Sequence, residues 1–414
     1  MTPPATPLEP GNYLLTGTVV TDGYSAPNSA VAVVDGFLAY VGPLADLDRS
    51  VLPELEPLEL PDGSMILPGL VDLHCHGAAG GDFPSGNLAA ARTAIDFIHR
   101  SGTTTLLASL VTASREDLLK GTMALRLLAD EGLIAGIHAE GPFLSHARCG
   151  AQDPRFLLDP DLSLVDELLK AAGGHLRTMT YAPELAGADA LVRKLAEQGV
   201  VPSLGHTDAD ARTTAASLTE SAELLAASGP GSGSRPTVTH LFNGMPPLHH
   251  RSPGPVAACL RLAGAGKVAV ELIADGAHLD PDTVRMVFEL VGADNVALVT
   301  DSMAATGLPD GDYRLGPASV SVRNSEARLS GDGSLAGGTA TLLDVVRRTI
   351  EAGVDPAASV KSATAVPAAI IGRAGELGSL RAARRADVVA VDRDFQRVLV
   401  LRAGRLLRRP EARL

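Results

Sequence analysis

Two histidines one residue apart, His74 and His76, end the apolar run Gly69-Leu70-Val71-Asp72-Leu73. If Leu70 to His76 is a strand, both imidazoles share one face and Cys75 takes the other. Imidazoles so spaced at a strand end can grip a single divalent metal. Taken alone, the pair reads equally well as surface histidines at a turn. Further along, other apolar runs end the same way: His138-Ala139-Glu140-Gly141-Pro142, Gly205-His206-Thr207-Asp208, Thr239-His240-Leu241-Phe242-Asn243, Asp275-Gly276-Ala277-His278 and Thr300-Asp301-Ser302. Glu140, His206 and His240 each finish an apolar strand abruptly with a metal-capable group, and they form the preferred ligand trio. The other candidates have plainer readings. His138 suits packing or hydrogen bonding, His99 lies mid-helix at the surface, and His249 and His250 sit solvated in a Pro-rich loop. Asp208 and Asp275 suit helix caps.

Imidazole and carboxylate ligands fit zinc or a similar borderline divalent ion, with one position left for water. The metal lowers the pKa of that water and polarises a carbonyl. Asp301 would take the water's proton and later return it to a leaving amine. The chemistry is amide hydrolysis without a covalent intermediate, and no Gly-x-Ser-x-Gly elbow competes with it.

The elements that must position these groups alternate strand and helix. Candidate strands are Gly69–His74, Thr103–Ser109, Leu133–Ala139, Arg177–Ala182, Val200–Gly205, Thr237–Phe242, Val268–Ala274 and Asn295–Thr300. Helical stretches between them include Leu88–Arg100, Arg115–Glu131, Ala186–Gln198 and Asp280–Val291. This repeat predicts a (β/α)8 barrel of the TIM type over residues 67–372, whose active sites gather at the carboxyl ends of the strands. A doubly wound sheet also fits the alternation, but the Gly-rich dinucleotide loop after the first strand is missing. Residues 12–66 and 373–414 read as short strands with turns at Asp22-Gly23, Asp35-Gly36 and Ala403-Gly404, predicting one small β-sandwich domain built from both termini. The stretch from Ser228 to Arg235 reads as a short flexible Gly/Ser loop.

Composition sets outer limits. The chain has 414 residues, 45% apolar and 20% charged, with a net charge of −13. That balance leaves no basic excess to neutralise phosphates, so a nucleic-acid partner is not expected. No apolar run reaches the length of a membrane span. Met1 to Pro10 lacks a signal-peptide pattern, and Cys75, Cys149 and Cys259 form no disulfide framework, so a cytoplasmic protein with reduced thiols is expected. Aromatics are 3% and Trp is absent, which argues against a sugar-stacking cleft.

The motif wording resembles the amidohydrolase superfamily, and within it the N-acetylglucosamine-6-phosphate deacetylase family. The matching stretches are Pro68 to Gly77, His138 to Phe143, Ala182 to Glu184, Gly205 to Ala209, Thr239 to Met245, Asp275 to His278, Val299 to Ser302 and Leu335 to Gly337. The resemblance implies removal of the acetyl group from a phosphorylated amino sugar. It makes Glu140, His206 and His240 the principal metal ligands, Asp301 the acid/base, and His74 with His76 a second-metal pair, so one or two ions, most simply Zn2+, are expected. It further implies substrate contacts from Asn243, Gly244, Ala151, Gln152 and the loop Leu335, Ala336 and Gly337. His278 and Arg251 match phosphate and sugar binders, with Arg251 reaching across from a neighbouring subunit of a homodimer. Gln152 stands where many members carry a histidine near the substrate carbonyl; it can donate a hydrogen bond but carries no proton. Cys149, in the same loop, suits either an exposed thiol or a small buried residue. Two alternatives stay open: another amidohydrolase such as a cyclic amidase or deaminase, and a non-catalytic barrel relative.

Overall fold

The computed structural model describes residues 10–228, 235–315, 318–331 and 333–407. The Gly/Ser stretch over 229–234, residues 1–9 of the N-terminal tail and residues 408–414 lie outside the described residues. Eight parallel strands form the barrel: β1 (Leu70–Cys75), β2 (Thr103–Leu110), β3 (Gly136–Glu140), β4 (Leu176–Tyr181), β5 (Val201–Leu204), β6 (Thr237–Val238), β7 (Ala269–Leu272) and β8 (Val296–Leu298). Each pairs with its sequence neighbour in turn. Closure comes from the extended ends of β1 and β8. The N–H of His76 donates to the carbonyl of Ser302 at 2.7 Å, and that of Asp301 to His74 at 2.8 Å. Those bonds also hold three of the expected site residues side by side.

Helices α1 (Leu88–Arg100), α2 (Arg115–Asp130), α3 (Leu162–Ala172), α4 (Ala188–Glu197), α5 (Ala211–Ala227), α6 (Gly254–Gly264), α7 (Pro281–Val291) and α8 (Leu342–Glu351) follow the strands, and α9 (Pro356–Ser362) and α10 (Ala365–Ile370) lead back to the terminal sheet. Their starts follow local chemistry. Asn87, Ser114, Asp161, Asp210 and Asp280 each accept N–H bonds of the first helical turn, and Thr341 forms a capping box with Asp344. No helix among the described residues is long and apolar enough to cross a membrane.

Strands from both ends of the chain form the second body, one continuous mixed sheet of eight strands. Met65–Pro68 runs along its middle, between the N-terminal strand Tyr13–Thr21 and the C-terminal strand Val388–Val391, and leads within two residues into β1. The three expected turns are tight two-residue hairpins. Asp22-Gly23, Asp35-Gly36 and Ala403-Gly404 all have positive φ at both positions, as the twist of the flanking strands requires. Alternation sorts the faces: Tyr13, Leu15, Val31 and Val33 enter one apolar cluster, and Leu14, Ala30 and Ala32 another.

One element was not anticipated. Residues Gly311–Leu315, Ala318–Arg323 and Glu326–Leu329 form a three-stranded antiparallel meander after β8. Its inner residues Leu315, Val320, Val322 and Ala327 pack with Met303 and Ala336, beside the barrel mouth. His99 also corrects the sequence reading. It is buried rather than at the surface, because it lies on the face of α1 turned inward with Ala91, Ala94, Ile95 and Ile98.

Candidate active site and metal centre

The strand ends converge as the spacing predicts. Nε2 of His206 and of His240 stand 3.1 Å apart, and each lies about 3 Å from Oε1 of Glu140, at 3.1 and 3.0 Å. On the other side, Nε2 of His74 and of His76 stand 3.1 Å apart, and Oε2 of Glu140 is 3.3 Å from His76. Asp301 Oδ1 completes this second group at 3.4 Å from His74 and 3.2 Å from His76. Glu140 therefore belongs to both clusters: Oε1 faces His206 and His240 and lies 3.6 Å from His74, and Oε2 faces His76. Cys75 points away, its thiol against the carbonyl of Leu107, as alternation along β1 requires.

The donor chemistry fits a cation. Nδ1 of His206 lies 2.8 Å from the carbonyl of Arg148, and Nδ1 of His76 lies 3.3 Å from that of Ser109. A carbonyl only accepts, so the proton sits on Nδ1 and the lone pair of Nε2 faces the centre. Imidazole nitrogens meeting at 3.1 Å beside a carboxylate are held together by shared protons or by a divalent ion, and this His/Glu donor set suits the ion. The electrostatics agree. Burial works against charge on His76, yet hydrogen bonding to Asp301 and Glu140 drives it up to about 9. Burial likewise opposes ionisation of Asp301, but His74 and His76 hold it at about 2. Glu140 is also held well below the usual carboxylate range, against burial, by His74 and by hydrogen bonds to His206 and His240. The two acids are ionised, and the site calls for positive charge.

Backbone geometry marks the same residues. His206, His240 and Asp301 have φ of 47°, 29° and 47°. Non-glycine residues rarely adopt that region, and such strain persists where surrounding structure fixes a functional side chain.

Supporting groups escaped the sequence reading. Asp72 Oδ2 accepts the hydroxyl of Thr300 at 2.6 Å, and its other oxygen accepts the N–H of His74 at 3.2 Å. Glu184 holds the loop after β5 by accepting from Thr207 Oγ1 at 2.5 Å and the Asp208 N–H at 2.7 Å. Glu271, buried on β7, lies 3.5 Å from Nδ1 of His74. It interrupts the apolar run Val268 to Ala274 as Glu140 interrupts its own, a signal that was available. His138 has both ring nitrogens engaged, with Ser109 at 2.9 Å and Thr180 at 2.8 Å, so it is a packing neighbour of His74. Asp208 pairs with Arg148 rather than capping a helix. Asp275 accepts the N–H groups of Ala277 and His278 and the imidazole of His278 at 2.9 Å.

Above the cluster opens a cavity of about 230 Å³. Ala151, Gln152, Asn243, Gly244, His278, Leu335 and Gly337 line it with Asp301, Glu140, His76, His206 and His240, and no Phe or Tyr among the described residues does. Gly244 has φ +60°, and a Cβ there would come within 2.9 Å of the His206 ring. Ala336 is buried in the meander's apolar cluster and stays outside the lining. Arg251 is exposed on the loop before α6, also outside the lining of its own chain's cavity, and His249 and His250 are exposed beside it. Cys149 is half-buried and free. Gln152 is more committed than its position suggested: its amide donates to Glu140 Oε2 at 2.6 Å and accepts the N–H of Thr112 at 2.7 Å. A group that orients a metal-facing carboxylate typically matters 10- to 100-fold. Gln152→Ala is therefore expected to lower metal affinity or turnover by about that factor. Metal titration beside kcat on one preparation measures it, and unchanged values for both would dismiss this role.

A closed eight-stranded barrel with such a cluster at its carboxyl end defines the class. The chain belongs to the amidohydrolase family, whose model matches residues 65–407. Within that family it is similar to named deacetylases. It is 32% identical to N-acetylglucosamine-6-phosphate deacetylase of Bacillus subtilis, over 94% of this chain and 95% of that protein. It is 31% identical to N-acetylgalactosamine-6-phosphate deacetylase of Escherichia coli O157:H7, over 83% of this chain and 88% of that one. A mutant N-acetyl-D-glucosamine-6-phosphate deacetylase from Mycobacterium smegmatis, solved in complex with N-acetyl-D-glucosamine-6-phosphate, superposes with a TM-score of 0.86 at 35% identity, over 96% of this chain and 99% of that one.

Proposed function

We propose that this chain is a hydrolase that removes the acetyl group from N-acetyl-D-glucosamine 6-phosphate, giving D-glucosamine 6-phosphate and acetate. One observation carries the reading: Glu140 joins two histidine pairs, with Asp301 beside them, at the floor of the cavity. Similarity to the deacetylases over nearly the whole chain supports the substrate.

Glu140, His206 and His240 hold one divalent ion in this reading, and His74 and His76 a second that shares Glu140. The donor set suits zinc. When bound, the metal supplies a water of lowered pKa and polarises the amide carbonyl. Asp301, ionised and with its side chain 14% exposed against 4% for Glu140, is the more open of the two carboxylates that line the cavity. It takes the proton of the attacking water and returns it to the amine as the C–N bond breaks. Gln152 keeps one amide hydrogen free and sets the angle of Glu140 with the other. Asn243, Gly244, Ala151, Leu335 and Gly337 enclose the sugar by shape and polar contact, and Ala336 anchors their loop. His278, fixed by Asp275, faces the sugar's distal side. The enzyme is assigned to the cytoplasm.

Arg251 is assigned to the phosphate of a substrate bound in a neighbouring copy, within a homodimer. Its exposure outside its own cavity supports this. Arg251→Ala should weaken the phosphorylated substrate by about 2–4 kcal/mol and leave the unphosphorylated sugar's poor turnover unchanged. Mixed dimers of Arg251→Ala with Asp301→Asn chains should regain activity, because one site then has both groups. No recovery in hybrids shown to form would place Arg251 in its own chain's site.

The test of the function itself is acetate release from N-acetylglucosamine 6-phosphate, its galacto epimer and unphosphorylated N-acetylglucosamine. The first should have the highest kcat/KM. A preference for the epimer would move the assignment to the galactosamine branch, and no release from either phosphate would overturn it.

A further inference from the structure

A second cavity, of about 240 Å³, lies at the opposite end of the barrel, between the amino ends of β2 to β4 and the terminal sheet. Its lining carries the guanidiniums of Arg177, Arg373, Arg385 and Arg402, the imidazole of His175, and no carboxylate. Partners exist for some of this charge. Asp387 accepts Nε of Arg385 at 2.8 Å, Glu376 pairs with Arg373 at 2.6 Å, and Asp130 with His175 at 2.8 Å. Arg402 donates to the backbone carbonyls of Thr104 and Gly132, which ties the sheet to the barrel but neutralises nothing. Two of the four guanidiniums thus lack a carboxylate of their own.

Polar atoms in the wall are also left over. Nε of Arg177 and Oγ1 of Thr104 are both buried without a hydrogen-bond partner, and Thr104 is fully buried. Buried donors are seldom left so, because each forfeits its bonds to water. Like charges crowd each other here. Burial lowers Arg402, and although Asp387 counters it, Arg385, Arg405 and Arg373 add to bring it to about 10. Burial and then Arg373 lower Arg177. A cation-lined chamber of about 240 Å³ is complementary to an anion that accepts several hydrogen bonds at once.

We propose that this cavity binds a compact oxyanion of the phosphate class, either the free ion or the phosphate group of a small metabolite. The site is distinct from the metal centre. The eight residues of β2 separate the two, roughly 23 Å end to end at about 3.3 Å per step. The anion would accept from the guanidinium of Arg177 and draw the barrel and the terminal sheet together through Arg385 and Arg402.

Thermal unfolding of the metal-loaded enzyme tests this in sodium chloride, inorganic phosphate and glycerol 3-phosphate at equal ionic strength. At 20 mM, phosphate or its ester should raise Tm by roughly 2–4 °C over chloride. A larger rise with inorganic phosphate marks the free ion as ligand, and with the ester a metabolite. Phosphate also meets the active site, so its competitive inhibition constant is measured on the same proteins. Arg177→Gln should lose at least half the Tm rise, keep that inhibition constant, and be no less stable in chloride, since an unpaired cation has been removed. No rise in either anion, or a full rise in Arg177→Gln, overturns the proposal.

Discussion

Asp301→Asn should fold normally, retain its metal and bind substrate, yet lose turnover by about 100- to 10,000-fold, the usual loss when a positioned acid/base is removed. Shape is not the reason. Asn fits the same space, and the backbone bonds at this residue, from the Asp301 N–H to His74 and from the Gly338 N–H to Asp301, are untouched. The amide does not take up and return a proton at neutral pH. The carboxylate does, and His74 and His76 hold it ionised at about 2 despite its burial. Asn also tolerates the left-handed backbone at φ 47°. The measurement is kcat beside metal content and Tm for one preparation. A kcat within a few-fold of the unmodified enzyme would show that the proton travels by another group.

Glu140→Gln should be more severe, because its two oxygens reach both histidine pairs. Oε1 faces His206 and His240 and lies 3.6 Å from His74, and Oε2 faces His76 and Gln152. Replacing one oxygen by an amide group turns an acceptor into a donor aimed at lone pairs. If, as proposed, two ions share Glu140, its loss empties both sites, so activity should fall at least about 1,000-fold with bound metal near zero. His74→Ala with His76→Ala should remove only one ion. Elemental analysis of the three proteins separates these outcomes. If Glu140→Gln keeps its full metal content, Glu140 is not the shared ligand.

Much of this was legible along the chain because it depends on local periodicity. Strands of four to eight apolar residues that stop at His, Glu or Asp locate the mouth of a barrel, since strand ends in that fold share one face. His74 and His76 face the same centre because alternation has a period of two, and the hairpin turns follow from Asp-Gly and Ala-Gly pairs that accept positive φ. The meander at 311–329 was not legible. Its strands alternate exposed, charged residues such as Asp312, Arg314 and Arg323 with few apolar ones, and those few pack against residues outside the meander, among them Val111, Met303, Ala305 and Ala336.

Tertiary structure alone decided which oxygen of Glu140 meets which histidine, and that the Gln152 amide donates to Glu140. It also decided that His99 is buried, and that Arg177, Arg373, Arg385 and Arg402 enclose one chamber. The physical reason is common to all four. Side-chain type and spacing determine what a residue can do and which face of its own element it occupies. Partners drawn from elements tens or hundreds of residues apart are chosen by how the barrel closes and how the terminal sheet docks, and no local pattern in the chain records that choice.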